Sequence, residues 1–357
     1  MKQINVTKTY LPSIDEYSKY LEGIWDRGQL TNNGKLLLEL EDKLKKFLGV
    51  KHLLLINNGT IALQIAIRAL ELKNEIITTP FSYAATTTSI VWENCVPVFA
   101  DIDERNLCIN PDEIRRKISP RTSAILATHV YGNPCNIEEI KTIANENNLK
   151  IIYDAAHAFG VNYNGKSVLN YGDASILSFH ATKLFHTIEG GAIVTDNDEL
   201  AYKISYLRNF GHNGPEAFHS YGTNGKASEF NAAMGLCVLP KVPELIQARK
   251  IISQLYDTLL KDSGLEKPDL RTNTEYNYSY YPLLFKTETE LLVVRDRLNC
   301  ENIFPRRYFY PSLNTLNYTG NQPMPIAENI ASRVMCLPLY HSLSEDEARK
   351  IVSIIKG

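Results

Sequence analysis

Residues 150–160 read KIIYDAAHAFG and residues 172–191 read GDASILSFHATKLFHTIEGG. Each segment opens with a short apolar run of β-forming residues and then turns polar, the pattern of a buried strand leaving a sheet. The first run ends in Asp154, which sets a carboxylate at the carboxyl edge of that sheet, where α/β proteins bind their ligands. The second, over 174–178, delivers Ser178, His180 and Lys183 to the same edge. Asp154 and Lys183 lie 29 residues apart, room for one loop and one strand. Both side chains are therefore expected to face one ligand.

The same pattern extends outward on both sides. From Lys51 to Val194 apolar runs alternate with longer segments of helical period, which predicts an α/β fold with a large, mostly parallel sheet covered by helices. Strands are expected at 53–56, 76–78, 97–100, 123–127, 150–153, 174–178 and 191–194. Amphipathic helices are expected at 60–70 and at 111–118, the latter capped by Asn110 and opened by Pro111. Past Pro240 the character changes to a long helix at 242–260, a Tyr-rich strand pair around 276–285, a helix near 288–299 and a last one at 344–355. This predicts two domains, 1–240 and a smaller α+β domain, 241–357.

Composition narrows the function classes. The 357 residues are 44% hydrophobic and 22% charged, with 38 Lys and Arg against 40 Asp and Glu and a formal net charge of -2. Such a balance argues against bulk nucleic-acid or membrane-surface binding. Residues 1–20 lack the apolar stretch of a signal peptide, and no apolar run reaches bilayer length. The six cysteines are widely spaced, without a CxxC pair, so no metal site is expected and a cytoplasmic protein with reduced thiols is the simplest reading.

An amine and a carboxylate on neighbouring strand ends suit pyridoxal 5′-phosphate (PLP). That cofactor needs an amine for an imine linkage, an anion at its pyridine nitrogen and donors for its phosphate. Lys183 supplies the first, its pKa expected to fall through desolvation. Asp154 supplies the second. For the third, Asn58-Gly59-Thr60 follows a strand and opens a helix, whose N-terminus attracts anions, and Ser178 adds a hydroxyl. Tyr83 is placed to stack on the ring, and His157 to touch it or its 3′-oxygen. Taken singly these residues have plainer readings: Asp154 as a helix cap, Asn58-Gly59 as a structural turn, Tyr83 as a core aromatic, the histidines as packing groups. The run Tyr276, Tyr278, Tyr280, Tyr281 reads as a strand with one polar-aromatic face. Arg306, Tyr308 and Tyr310 offer cationic and aromatic contacts for a diphosphate or a base.

With these residues in place, the segments NNGTIALQIAIRAL, TTPFSYAATTTSI, PVFADID, THVYGNP, IIYDAAHAFG, SFHATKLFHTIEGGAIV and GTNGKASEFNAAMG resemble the DegT/DnrJ/StrS family of sugar-nucleotide aminotransferases, over most of the chain. The resemblance implies the PLP-dependent fold type I, Lys183 as the cofactor-linking lysine, Asp154 as pyridinium partner, Tyr83 as stacking ring, and Gly59, Thr60 and Ser178 at the phosphate. It implies that Asn224 reaches the phosphate across the interface of a homodimer with shared active sites. Two positions depart: His157 stands where many members carry Gln, and Lys226 where Arg is usual. The implied reaction moves an amino group from L-glutamate to a dTDP-4-keto-6-deoxyhexose for O-antigen or surface glycan synthesis. A 3-aminotransferase acting on a dTDP-3-keto-6-deoxyhexose, and a non-catalytic PLP-fold regulatory protein, are the other readings. Lys183 argues against the family's dehydratases, which carry histidine there, and no GxGxxG turn supports a nicotinamide enzyme.

Overall fold

The computed structural model describes residues 3–320 and 322–357. Its centre is a seven-stranded sheet in the spatial order His52–Ile56, Gly191–Thr195, Ala174–Ser178, Lys150–Asp154, Thr122–Thr128, Glu75–Thr78, Val96–Phe99. Only Gly191–Thr195 runs antiparallel to its neighbours. All seven expected strands are present, within two residues at either end, and the fold is the expected α/β class.

Alternation along these strands separates two cores. Leu53, Leu55, Ile77, Ile125, Ile151 and Tyr153 face one side, while Leu54, Ile56, Ile76, Ala124, Leu126 and Ile152 face the other. The Gly59–Ala69 and Asp198–Leu207 helices cover the second side. Helix boundaries follow local chemistry. Asn58 caps the first of these helices by accepting the Ile61 N–H at 2.8 Å, and Ser344 forms a capping box with Glu347 at the start of Glu345–Lys356. The Lys35–Leu48 helix is capped from a distance: the fully buried carboxylate of Glu229 accepts the N–H groups of Leu36 and Leu37 at 3.1 and 2.9 Å, and pairs with Arg27.

A third core joins Val242–Leu260, Glu288–Cys300 and Glu345–Lys356 around Tyr256, Tyr281 and Phe285, and takes in Ile4 from the N-terminus. The Tyr-rich strand pair is corrected here. Thr274–Glu275 pairs with Asn162–Tyr163 and Pro282–Leu284 with Val334–Cys336, but residues 276–281 between them form no strand. Tyr278 adopts a left-handed φ of 51°, which breaks the alternation a strand requires. Among the described residues no helix is long and apolar enough to cross a membrane.

Candidate active site

Sheet register assembles the site. Lys150–Asp154 and Ala174–Ser178 are adjacent and parallel, with Asp154 opposite Ile176. Gly191 lies opposite Ser178 on one side and Ile56 on the other, so the Asn58–Thr60 turn and Ser178 meet across it. A Cβ on Gly191 would stand 2.7 Å from the Asn58 carbonyl carbon and the Gly59 nitrogen, which is why this position has no side chain.

A cavity of about 340 Å³ opens at this edge, lined by Gly59, Thr60, Tyr83, Asp154, His157, Ser178, Lys183, Arg306 and Tyr308 among others. The structure thus brings together nine of the eleven residues singled out from sequence. Asn224 is exposed and lies outside this lining, as does Tyr310, half-exposed beneath the Arg307 guanidinium at 3.5 Å.

Asp154 is buried, and desolvation holds its carboxyl above the usual carboxylate range. The Thr86 hydroxyl at 2.6 Å, the Ala156 N–H at 3.1 Å and the Lys183 charge oppose that rise. Thr86 belongs to a chain of buried hydroxyls: its oxygen lies 2.7 Å from that of Ser82, which accepts from Thr128 at 3.1 Å. Burial pushes the Lys183 amine down from its ordinary value, against the pull of Asp154, Tyr308 and Tyr83. His157 is stacked on Phe309 at 5.3 Å, and burial, then Lys183, press its pKa well below the ordinary value, so the ring is neutral. Its Nδ1 is buried and, among the described residues, has no hydrogen-bond partner.

These features fit PLP. A desolvated carboxylate awaits a cationic partner, an amine has its pKa lowered, an imidazole nitrogen lacks a bond, and the Gly59–Ala69 helix turns its N-terminus into the same cavity. Among the described residues no group of three or more His, Cys, Asp or Glu side chains could hold a metal ion. Thr86, Tyr280 and Phe309 escaped the sequence reading because their roles arise from contacts between distant segments. Only the regular spacing of Thr86 one turn after Ser82 hinted at the hydroxyl chain.

An α/β sheet with a lysine and a buried aspartate converging at its carboxyl edge is the architecture of a PLP-dependent transferase. The chain belongs to the DegT/DnrJ/EryC1/StrS aminotransferase family, which it matches over residues 13–356. It is 45% identical to the dTDP-4-amino-4,6-dideoxy-D-glucose transaminase of Shigella dysenteriae, covering 99% of both chains, and 42% identical to that of Escherichia coli, covering 100% of this chain and 99% of the other. The crystal structure of DesI in the presence of its TDP-sugar product is similar at a TM-score of 0.95 and 32% identity, covering 100% of this chain and 93% of that one.

Proposed function

We propose that the protein transfers the amino group of L-glutamate to the C4 carbonyl of dTDP-4-keto-6-deoxy-D-glucose, giving dTDP-4-amino-4,6-dideoxy-D-glucose for O-antigen or related surface glycans. The observation that carries the reading is the convergence of Lys183 and Asp154 on one cavity, in a chain 45% identical, end to end, to a transaminase of that name.

PLP, when bound, carries the amino group between donor and acceptor and withdraws electrons from the reacting carbon. Lys183 anchors it through Nζ. Asp154 would hold the pyridine nitrogen protonated, Tyr83 would stack on the ring, and His157 would touch the ring or its 3′-oxygen. Gly59, Thr60 and Ser178 receive the phosphate. With glutamate in the site the free Lys183 amine would take a proton from the donor's α-carbon, and in the second half-reaction the resulting ammonium would deliver one to C4 of the sugar. Arg306 and Tyr308 bind the nucleotide sugar, with Tyr310 at the mouth. The working unit is a homodimer in which Asn224 of each copy completes the other's site, a reading supported by the exposed Trp92, Phe210, Phe218 and Tyr221. Six free cysteines suit a cytoplasmic setting.

Incubation with L-glutamate and dTDP-4-keto-6-deoxy-D-glucose should release 2-oxoglutarate and the 4-amino sugar, and Lys183→Ala should lower turnover by at least about 100-fold. Amination of a 3-keto isomer alone, or full activity in Lys183→Ala, would overturn the proposal.

A further inference from the structure

The Lys183 amine donates to the phenol oxygen of Tyr280 at 3.3 Å, and the same Nζ stands 6.0 Å from the centre of that ring. Both residues line the main cavity and also a second chamber of about 30 Å³, bounded further by Thr7, Ser279 and Leu339. That space suits one or two waters. Tyr280 thus stands where the two chambers meet, beside the atom that reacts.

Its placement is fixed from several directions. The ring lies 5.1 Å from His157, 5.5 Å from Tyr131 and 5.8 Å from Tyr308. Asn277, fully buried, donates to the carbonyls of His157 and Phe159 at 2.9 and 3.0 Å, and accepts the Ser279 N–H. This locks the segment before Tyr280 to the turn that follows Asp154. Arg249 donates to the carbonyls of Ser279 and Leu339, both at 3.2 Å. Its guanidinium is buried and, among the described residues, has no carboxylate partner. Burying that charge against carbonyls alone is costly, an expensive arrangement for packing but a sound one for setting a side chain to a fraction of an ångström.

We propose that Tyr280 is a further catalytic residue: resting on the transamination proposed above, its phenol oxygen accepts a hydrogen bond from the Lys183 nitrogen whenever that amine is freed, and stabilises the ammonium that forms as the amine takes the donor's proton, beside Asp154 and His157. The phenol keeps its own proton, since burial, then Cys336, push it well up. Its part is therefore a hydrogen bond and not a proton transfer. The other groups facing this amine are Asp154 at its strand end, His157 in the following turn, Tyr83 at a helix start, and Tyr308; Arg306 shares the cavity.

Competitive labelling of the apoprotein with acetic anhydride across pH, read by peptide mass spectrometry, gives the pKa of Lys183 directly. Tyr280→Phe deletes one oxygen and leaves the ring contacts. The pKa is expected to fall by roughly one unit because the ammonium loses an acceptor, which frees about tenfold more amine near neutrality. In the holoenzyme the same change should lower kcat with KM for glutamate held, and displace the acid limb of the kcat profile equally. Superimposable labelling curves for the two proteins, or an unmoved kcat profile, would overturn the role of Tyr280. A protein that takes up no PLP would overturn the transamination instead, and the labelling comparison would still decide on the Tyr280 bond.

Discussion

Replacing Thr86 by valine keeps the shape of the side chain and deletes one hydroxyl. That hydroxyl donates to Oδ2 of Asp154 at 2.6 Å, in a position where both residues are buried. A hydrogen bond to a charged group contributes ~1.5–3 kcal/mol, and one pKa unit corresponds to about 1.4 kcal/mol. The Asp154 carboxyl should therefore rise by roughly 1 to 2 units above the elevation burial already imposes. The carboxylate proposed to hold the pyridine nitrogen should then do so less well, and PLP affinity should drop about tenfold to a hundredfold. Equilibrium dialysis of PLP against apoprotein over a pH series measures this. Affinity is lost as pH falls through the Asp154 pKa, so the loss should begin 1 to 2 units higher in the variant, about as the bond energy dictates. The apoprotein shows the opposite sign. A carboxyl whose folded pKa is raised binds a proton that the unfolded chain has released, so stability declines as pH climbs from 3.8 toward the raised value. Equal affinities with equal pH midpoints in the two proteins would refute the reasoning.

Glu229→Ala should cost about 3 kcal/mol, because two helix N–H groups and Arg27 lose their acceptor; urea denaturation checks this, and a loss no larger than an ordinary surface change would contradict it. Gly191→Ala should leave the sheet folded by circular dichroism but weaken PLP binding, since its Cβ forces the Asn58-Gly59 turn away from Ser178. His129 is buried, and desolvation, then Arg271, press its pKa down from 6.5 to about 3. A histidine depressed in the folded state stabilises fully above its unfolded pKa, so stability should fall as pH drops from 6.5 toward 3, by ~4 to 5 kcal/mol in all. Denaturant midpoints along that series measure the slope, and a flat profile would exclude it.

Sequence and structure agree most closely where local chemistry decides. The seven strands were legible because each is a short apolar run closed by polar or glycine residues, and Asn110 announced a helix start through its own side chain. Asp154 was legible for the same reason, as the polar residue that closes an apolar strand, and Lys183 as the amine that follows the neighbouring strand within five residues. The segment 276–281 was misread: its tyrosines look like alternation, yet Asn277 and Arg249 bind the backbone into an irregular crossing that only tertiary contacts create. Phe309 and Tyr310 illustrate the same limit. The apolar ring enters the cavity against His157, while its neighbour turns outward under Arg307, a choice that nothing in their sequence neighbourhood encodes.

The lone antiparallel strand, Gly191–Thr195, is inserted between the first strand of the sheet and the one before it in sequence. Among the described residues His52–Ile56 has no other neighbour in the sheet, so a chain emerging from the ribosome leaves that strand unpaired until residue 195 has been made. When Gly191–Thr195 docks, it closes the sheet and draws the Asn58–Thr60 turn to Ser178 in the same event. Nascent chains cut short of this strand would carry Lys183 and Asp154 without the junction of the Asn58–Thr60 turn and Ser178, so the phosphate site proposed there would be the last part of the cavity to form.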